Sequence, residues 1–287
     1  LTLSSVLIDL HTHTTASDGT TAPSDLIEQA LNAGLEAIAI TDHDTFAGYD
    51  EASPIAAGAA LDLVCGIELS TKYNKRSIHL LGYFPVQPPT AEFRDWLRFN
   101  QESRRDRNRR LAQRLQSLGL DVKLEEVERL GRSLAGRPHF AQLLVQKGYV
   151  SSYQEAFDEY LDEAAKGYVD RDEAQLGDAI ERVAAAGGIP TLAHPIRVTR
   201  DAATLRALLV EMKPRGLAGI EVFHSDHSAA DSAEYQMFAR EFDLLPTGGS
   251  DFHGDRKPSV RLGTGVNRNL NISRMVLDRL RLGAIAQ

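Results

Sequence analysis

Short apolar runs that alternate with amphipathic helical stretches predict an α/β fold built on a mainly parallel sheet. Two further observations shape that expectation. The alternation stops between about residues 85 and 166, where only helical patterns remain, so a helical insertion interrupts the sheet. The chain's 287 residues, 43% hydrophobic and 25% charged, suffice for one barrel-sized domain with a large core or for two ordinary domains. The expected organisation is a first part of the α/β domain over 1–84, an inserted helical cap over 85–166 and a second part over 167–287.

The predicted strands cover residues 6–10, 37–41, 63–69, 78–83, 189–193, 219–223 and 244–247. The first helix starts at Pro23, carries an apolar stripe of Leu26, Ile27, Ala30 and Leu31, and stops at Gly34. Another runs over 172–186 and ends at Gly187-Gly188. Inside the insertion the helical patterns fall at 90–117, 124–130, 138–147 and 151–161.

Composition excludes several function classes. A single cysteine, Cys65, permits neither an internal disulfide nor a thiolate zinc cluster, so any bound metal must be held by imidazole and carboxylate. No apolar stretch reaches the length of a membrane span, and the opening LTLSSVLIDL lacks the basic and long apolar regions of a signal peptide. The expected location is cytoplasmic, with no membrane and no stable protein partner. Net charge is -8, which argues against a surface that attracts nucleic acid as a whole. The charge is uneven, however. Between Arg94 and Arg114 eight arginines stand against Asp95, Glu102 and Asp106, a local +5 that leaves -13 for the rest. Arg94, Arg98, Arg105 and Arg109 share one helix face, either a solvated face or a guide for phosphate-rich substrate.

The histidines carry the functional signal. His11 and His13 follow the first strand, His43 the second, Glu68 ends the third, His79 lies on the fourth, His194 follows the fifth, and Asp251 with His253 follow the last. Parallel strands present their C-terminal ends to one face, so these side chains are expected to converge. Both the His11/His13 and the Asp251/His253 pairs are two residues apart, which in extended backbone turns them to the same side. His194 precedes Pro195, which biases it toward extended backbone. With Asp18 the inventory holds nine ligands, too many for one tetrahedral ion and suited to two or three.

The motifs DLHTHTTASDGT (9–20), ITDHDTFAG (40–48), GIELS (66–70), IHLLGY (78–83), LAHP (192–195) and GGSDFHG (248–254) together resemble the PHP family, named for polymerase and histidinol phosphatase. The resemblance implies a distorted (β/α)7 TIM-like barrel with a trinuclear metal centre. One ion would be held by His11, His13, Glu68 and Asp251, a second by Glu68, His79 and His194, and a third by Asp18, His43 and His253. GRPHFAQLL (136–144) resembles the Arg-x-His-Phe segment of PHP enzymes that dephosphorylate nucleoside 3',5'-bisphosphates and trim short RNA from its 5' end. In that comparison Arg137 and His139 touch substrate phosphate. Ile196 stands where the family usually has Gly after His-Pro, Arg197 after it is a further candidate phosphate contact, and His227 or the neighbourhood of His253 is the candidate to assist the leaving oxygen.

The ligand set suits two or three divalent ions and does not choose among manganese, iron and zinc; manganese is the expected metal, with iron or zinc as alternatives. The expected reaction is attack of metal-bound hydroxide on a phosphate monoester, the 3'-phosphate of a nucleoside 3',5'-bisphosphate, and also on the 5' ends of short RNA. Three other readings compete: a histidinol-phosphate phosphatase, an amidohydrolase-type C–N hydrolase, and a non-catalytic PHP module. The Arg137–Phe140 segment and Asp18 speak against the first, the absence of a strand-end lysine against the second, and the complete ligand set against the third.

Overall fold

The computed structural model describes residues 7–131 and 134–285. Its elements run β1 (Leu7–Thr12), α1 (Pro23–Asn32), β2 (Leu35–Ile40), α2 (Ala47–Ala56), β3 (Asp62–Tyr73) and β4 (Arg76–Phe84). The cap follows as α3 (Ala91–Ser117), α4 (Leu124–Gly131), α5 (Arg137–Gln146) and the single turn α6 (Tyr153–Ala156), which widens into a π-turn over Phe157–Leu161. The chain then returns through β5 (Ala174–Gln175), α7 (Leu176–Ala185), β6 (Ile189–Leu192), α8 (Pro195–Val198), α9 (Ala202–Met212), β7 (Gly219–His224), α10 (Ala229–Glu241) and β8 (Leu245–Gly249). A small hairpin, β9 (Val260–Arg261) and β10 (Gly265–Val266), and α11 (Met275–Ile285) end the described chain.

All seven predicted strands form; Val6, predicted to open the first, lies outside the described residues. They join in the order β1-β2-β3-β4-β6-β7-β8, with β5 on the side of β3. Backbone bonds from Asp251 N to His11 O (2.8 Å) and from His13 N to Phe252 O (2.9 Å) draw the last strand's exit onto the first strand, so the sheet nearly closes into a barrel. Ile8, Leu10, Val64, Leu81, Tyr83 and Ile189 form one shared core cluster, while Leu69, Leu80, Ile180, Leu192, Ile220 and Val222 pack with the flanking helices in another. No described helix is long and apolar enough to cross a membrane.

One strand departs from the parallel expectation. β4 runs antiparallel to both β3 and β6. The cause is local: Asn74 and Lys75 both adopt positive φ (48° and 67°), the two-residue turn that folds a strand back on itself. His79 therefore reaches the site from within a hairpin, paired opposite Ser70, rather than from a strand end. The predicted helix over 172–186 also starts later, at Leu176, because Ala174–Gln175 pair with β3 first.

The cap has its own core of Leu111, Leu115, Val122, Phe140, Leu144 and Leu161, all buried. Burial of Phe140 and Leu144 contributes about 2–3 kcal/mol each before the entropy of ordering is subtracted. The arginines of α3 divide between two faces. Arg94 pairs with Asp50, Arg98 with Asp95, and Arg109 and Arg110 with Asp106, on the solvated side. Arg104 and Arg107 sit on the buried face with Leu97, Asn100, Asn108 and Leu111. The face that meets the barrel is thus not the one that spacing alone made conspicuous.

Candidate metal centre

Glu68 is the hub. Its Oε2 lies 3.2 Å from His11 Nε2, 3.0 Å from His13 Nε2 and 3.3 Å from His43 Nδ1. Its Oε1 lies 2.8 Å from both His79 Nδ1 and His194 Nε2. Asp251 Oδ1 adds a second carboxylate 3.6 Å from His11 Nε2 and 3.4 Å from His13 Nε2. Asp18 faces His253 Nε2 at 3.4 Å and His43 Nε2 at 3.7 Å. All nine sequence-predicted ligands come together: eight fall into three groups, His11, His13, Glu68 and Asp251; His13, Asp18, His43 and His253; and His43, Glu68 and His79, and His194 joins them at Glu68 Oε1.

The donor chemistry fits divalent ions. Among the described residues His11 Nε2, His13 Nε2 and His43 Nδ1 are buried without a hydrogen-bond partner, and they face carboxylate oxygens. A buried polar atom left so costs free energy unless something occupies its lone pair. Burial would by itself raise the Glu68 pKa, but the imidazoles of His43, His79 and His11 hold it well below the ordinary carboxylate range. Burial likewise lowers His43 to about 3 and His194 to about 3, keeping both neutral and available as ligands. For His13 the carboxylates of Asp251 and Glu68 outweigh burial and lift the ring to about 9, the response of an imidazole set among anions.

Several local devices aim these groups. Gly19 lies so close to the His13 carbonyl that a Cβ would sit 2.4 Å from its oxygen, which explains Gly after Asp18. Asp42 accepts from Thr14 N (2.8 Å), Thr14 Oγ1 (2.7 Å) and Ser17 Oγ (2.5 Å), tying down the loop that carries Asp18. Asp9 accepts from Ser250 N and Gly263 N, both at 2.8 Å, and so fixes the last strand's exit beside the first strand. Two of the backbone expectations differ. Asp251 has φ 58°, so the pairing of Asp251 with His253 rests on a left-handed turn and not on extended alternation. His194 has φ 24° and ψ 68° instead of extended backbone, and its N–H donates to Glu221 Oε2 at 2.7 Å.

Glu221 is the important residue that the sequence did not reveal. It is fully buried on β7, with Oε1 2.9 Å from His11 Nδ1 and Oε2 on the His194 backbone. Burial would raise its pKa, but the charge of His11 and then of His224 brings it to about 2. A carboxylate on the far nitrogen of a ligating imidazole fixes which nitrogen faces the metal. Its neighbour His224 accepts the Asp226 N–H at Nδ1 (3.0 Å) and turns Nε2 toward Asp251 Oδ2 (3.4 Å). Neither residue belongs to a motif, since Glu221 lies inside an apolar strand.

The remaining predicted residues fall differently. Arg137 lines the cleft over the centre, and Arg197 lines it with its guanidinium 3.0 Å from Asp251 Oδ2. Lys257, unremarked in the sequence, places Nζ 2.6 Å from the same oxygen. His139 is buried at the start of α5, where its Nδ1 accepts the Gly136 N–H (3.0 Å) and caps the helix that begins with Arg137. Burial, followed by the charge of Arg256, lowers it to about 4. His227 is buried behind His224, with ring centroids 5.2 Å apart, its Nδ1 on the Val222 carbonyl (2.9 Å). It is not among the residues that line the cleft. Cys65 is buried in β3, where desolvation pushes its thiol upward and away from reactivity.

A family model described as the PHP domain matches residues 9–170, from the first His-x-His through the cap. The chain belongs to the PHP-domain family. Among curated proteins this PHP chain is 35% identical over 247 residues to a 5'-3' exoribonuclease of Haemophilus influenzae, covering 85% of the chain and 89% of the relative. It is 32% identical over 250 residues to a 3',5'-nucleoside bisphosphate phosphatase of Chromobacterium violaceum, covering 86% and 87%. Among solved structures it superposes on a candidate metal-dependent phosphoesterase from Bifidobacterium adolescentis with a TM-score of 0.83 and 30% identity, over 96% of this chain and 95% of that one. This PHP chain is a phosphoesterase, a hydrolase of phosphoric esters that depends on divalent metal.

Proposed function

We propose that the chain removes the 3'-phosphate of a nucleoside 3',5'-bisphosphate and attacks the 5' ends of short RNA by the same chemistry. The observation that carries this reading is a carboxylate shared by five imidazoles at the floor of a cleft whose walls are arginine. His11, His13, Glu68 and Asp251 would hold one ion, Glu68, His79 and His194 a second, and Asp18, His43 and His253 a third, with manganese the expected metal. Divalent ions in such a site supply an activated water at neutral pH and neutralise charge that builds on the phosphoryl oxygens. The chain's own residues do the rest. Arg197 and Lys257 stand beside Asp251 and place positive charge at the mouth of the centre, where phosphate oxygens arrive. Arg137 faces the same space from the cap, and His139 and the hydrogen bond at Gly136 hold its helix in place. The relatives' names support both substrate types: one is an exoribonuclease and the other a bisphosphate phosphatase.

A phosphate-release panel tests the proposal. With manganese present, adenosine 3',5'-bisphosphate and a 5'-phosphorylated oligoribonucleotide are expected to be hydrolysed, and His194→Ala to abolish both reactions. Preference for histidinol phosphate, or turnover of an N-acyl amide alone, would overturn it. An inert chain carrying a full metal complement would place it with the non-catalytic PHP modules.

A further inference from the structure

The two substrates proposed above differ in one substituent of the reacting phosphorus. In a nucleoside 3',5'-bisphosphate that phosphorus carries the 3'-oxygen of the nucleoside and otherwise only free oxygens. In RNA one of those oxygens is the 5'-oxygen of the next nucleotide. One reaction serves both: the oxygen of water bonds to phosphorus, the P–O3' bond breaks, and O3' takes a proton and leaves as the 3'-hydroxyl of the first nucleotide. In RNA the phosphate then stays on the next nucleotide. Attacking and leaving oxygens lie roughly in line, so the oxygen that bears the rest of an RNA points off that line, toward a side of the centre. A site confined to the bisphosphate needs no opening there.

The centre has such an opening. His79 and Arg197 line the cleft beneath the cap, and they also line a second groove of about 710 Å³, bounded by the β3–β4 hairpin and α9. His194, on Glu68 Oε1 at 2.8 Å, lines this groove and not the cleft. The groove's lining suits a single strand. Tyr73 offers a ring held in place by a hydrogen bond from its hydroxyl to Glu211 Oε2 (2.6 Å) and by packing against the core under the flanking helices. Ile78 and Leu208, both buried, give an apolar floor beside it. Arg76 pairs with Tyr73 across the turn and is exposed; among the described residues no carboxylate answers its charge. An aromatic face beside an available cation is how proteins hold single-stranded nucleic acid without reading its sequence. Asp162 and Glu163, both exposed, also line the groove. Their charge repels phosphate and confines a backbone to the hairpin side, so the grip comes from stacking and one phosphate contact, not from a broad positive field.

We propose that the groove between the β3–β4 hairpin and α9 receives the nucleotide on the 3' side of the scissile phosphate of a single-stranded RNA, with its base on Tyr73 and its next phosphate at Arg76. This rests on the phosphoesterase reading of the centre and deepens it: the groove takes the part of the substrate that only RNA possesses. Tyr73 and Arg76 then set activity on RNA and have no part in hydrolysis of the bisphosphate.

Paired substrates test the groove. Tyr73→Leu, which keeps an apolar side chain but removes the stacking face, should lower kcat/KM for a 5'-phosphorylated trinucleotide about tenfold, the scale of one stacked base, and leave adenosine 3',5'-bisphosphate unaffected. Arg76→Ala should lower the trinucleotide's kcat/KM about threefold and reduce its log-log salt slope by about 0.7, the share of one phosphate of a single strand, again sparing the bisphosphate. Binding is read apart from turnover, with a trinucleotide whose first linkage has CH2 in place of O3' and so is not cleaved. By calorimetry on the metal-loaded chain it should bind at least about tenfold more tightly than the methyl ester of the corresponding mononucleotide 3'-methylenephosphonate, which has the same charge at phosphorus and no following nucleotide. Tyr73→Leu should bring that difference below about threefold. If Tyr73→Leu does not fold, Arg76→Ala, an exposed side chain without an ion pair, supplies the same comparison. Equal wild-type affinity for the two analogues, or folded variants whose turnover of trinucleotide and bisphosphate changes alike or not at all, would overturn the groove. Should neither substrate be hydrolysed, the functional reading fails, and the binding comparison still decides the groove.

Discussion

Glu68→Gln is expected to reduce phosphate release by about a thousandfold, the scale of several kcal/mol of charge stabilisation at a metal-dependent phosphoryl site. The substitution conserves volume, so the strand pairing of Glu68 with Leu81 across the β3–β4 hairpin should survive. What it removes is the charge and one of the two oxygens. His11, His13 and His43 face one oxygen and His79 and His194 the other, so an amide leaves one of these groups looking at an N–H donor. Elemental analysis of the variant should find at most one tightly held ion per chain. An unchanged metal content with wild-type turnover would remove Glu68 from the centre.

Glu221→Gln should act through the ligands without touching the metal. Glu221 orients His11 through Nδ1 and pins the backbone of His194 in its left-handed conformation. Loss of such a supporting carboxylate costs about 10–100-fold in metal affinity. Competition with a chelator measures that directly, and excess manganese should restore much of the activity. A merely structural role would lower the melting temperature without changing the chelator curve. Glu221→Asp, which keeps the charge but shortens its reach, should fall between the two.

The histidine pattern was legible because most of the ligands sit next to a strand whose apolar run is itself easy to read. His11, His43, His194 and His253 all follow such runs, and the barrel places them face to face. Three things were not legible. The reversal of β4 depends on two residues, Asn74 and Lys75, whose left-handed conformation no apolar periodicity reports. Glu221 occupies one position in an otherwise apolar strand, and its meaning appears only when His11 and His194 arrive from strands far away in sequence. The arginines of α3 were visible as a cluster, but a helix rich in charge on every side does not declare which face is buried. Barrel contacts decide it. Asp44, itself in a left-handed conformation after His43, draws Arg104 inward, and Arg107 one turn later follows. The net charge of -8 likewise concealed a cleft lined with arginine.

The most direct test of the account is a metal titration followed by phosphate release. Chain stripped by chelation and returned to zero, one, two and three equivalents of manganese would be assayed on adenosine 3',5'-bisphosphate. No release is expected without metal, and the rate should rise as the second and third equivalents are added, with adenosine 5'-monophosphate as product. Release at full rate from the stripped chain, or none at three equivalents, would contradict it.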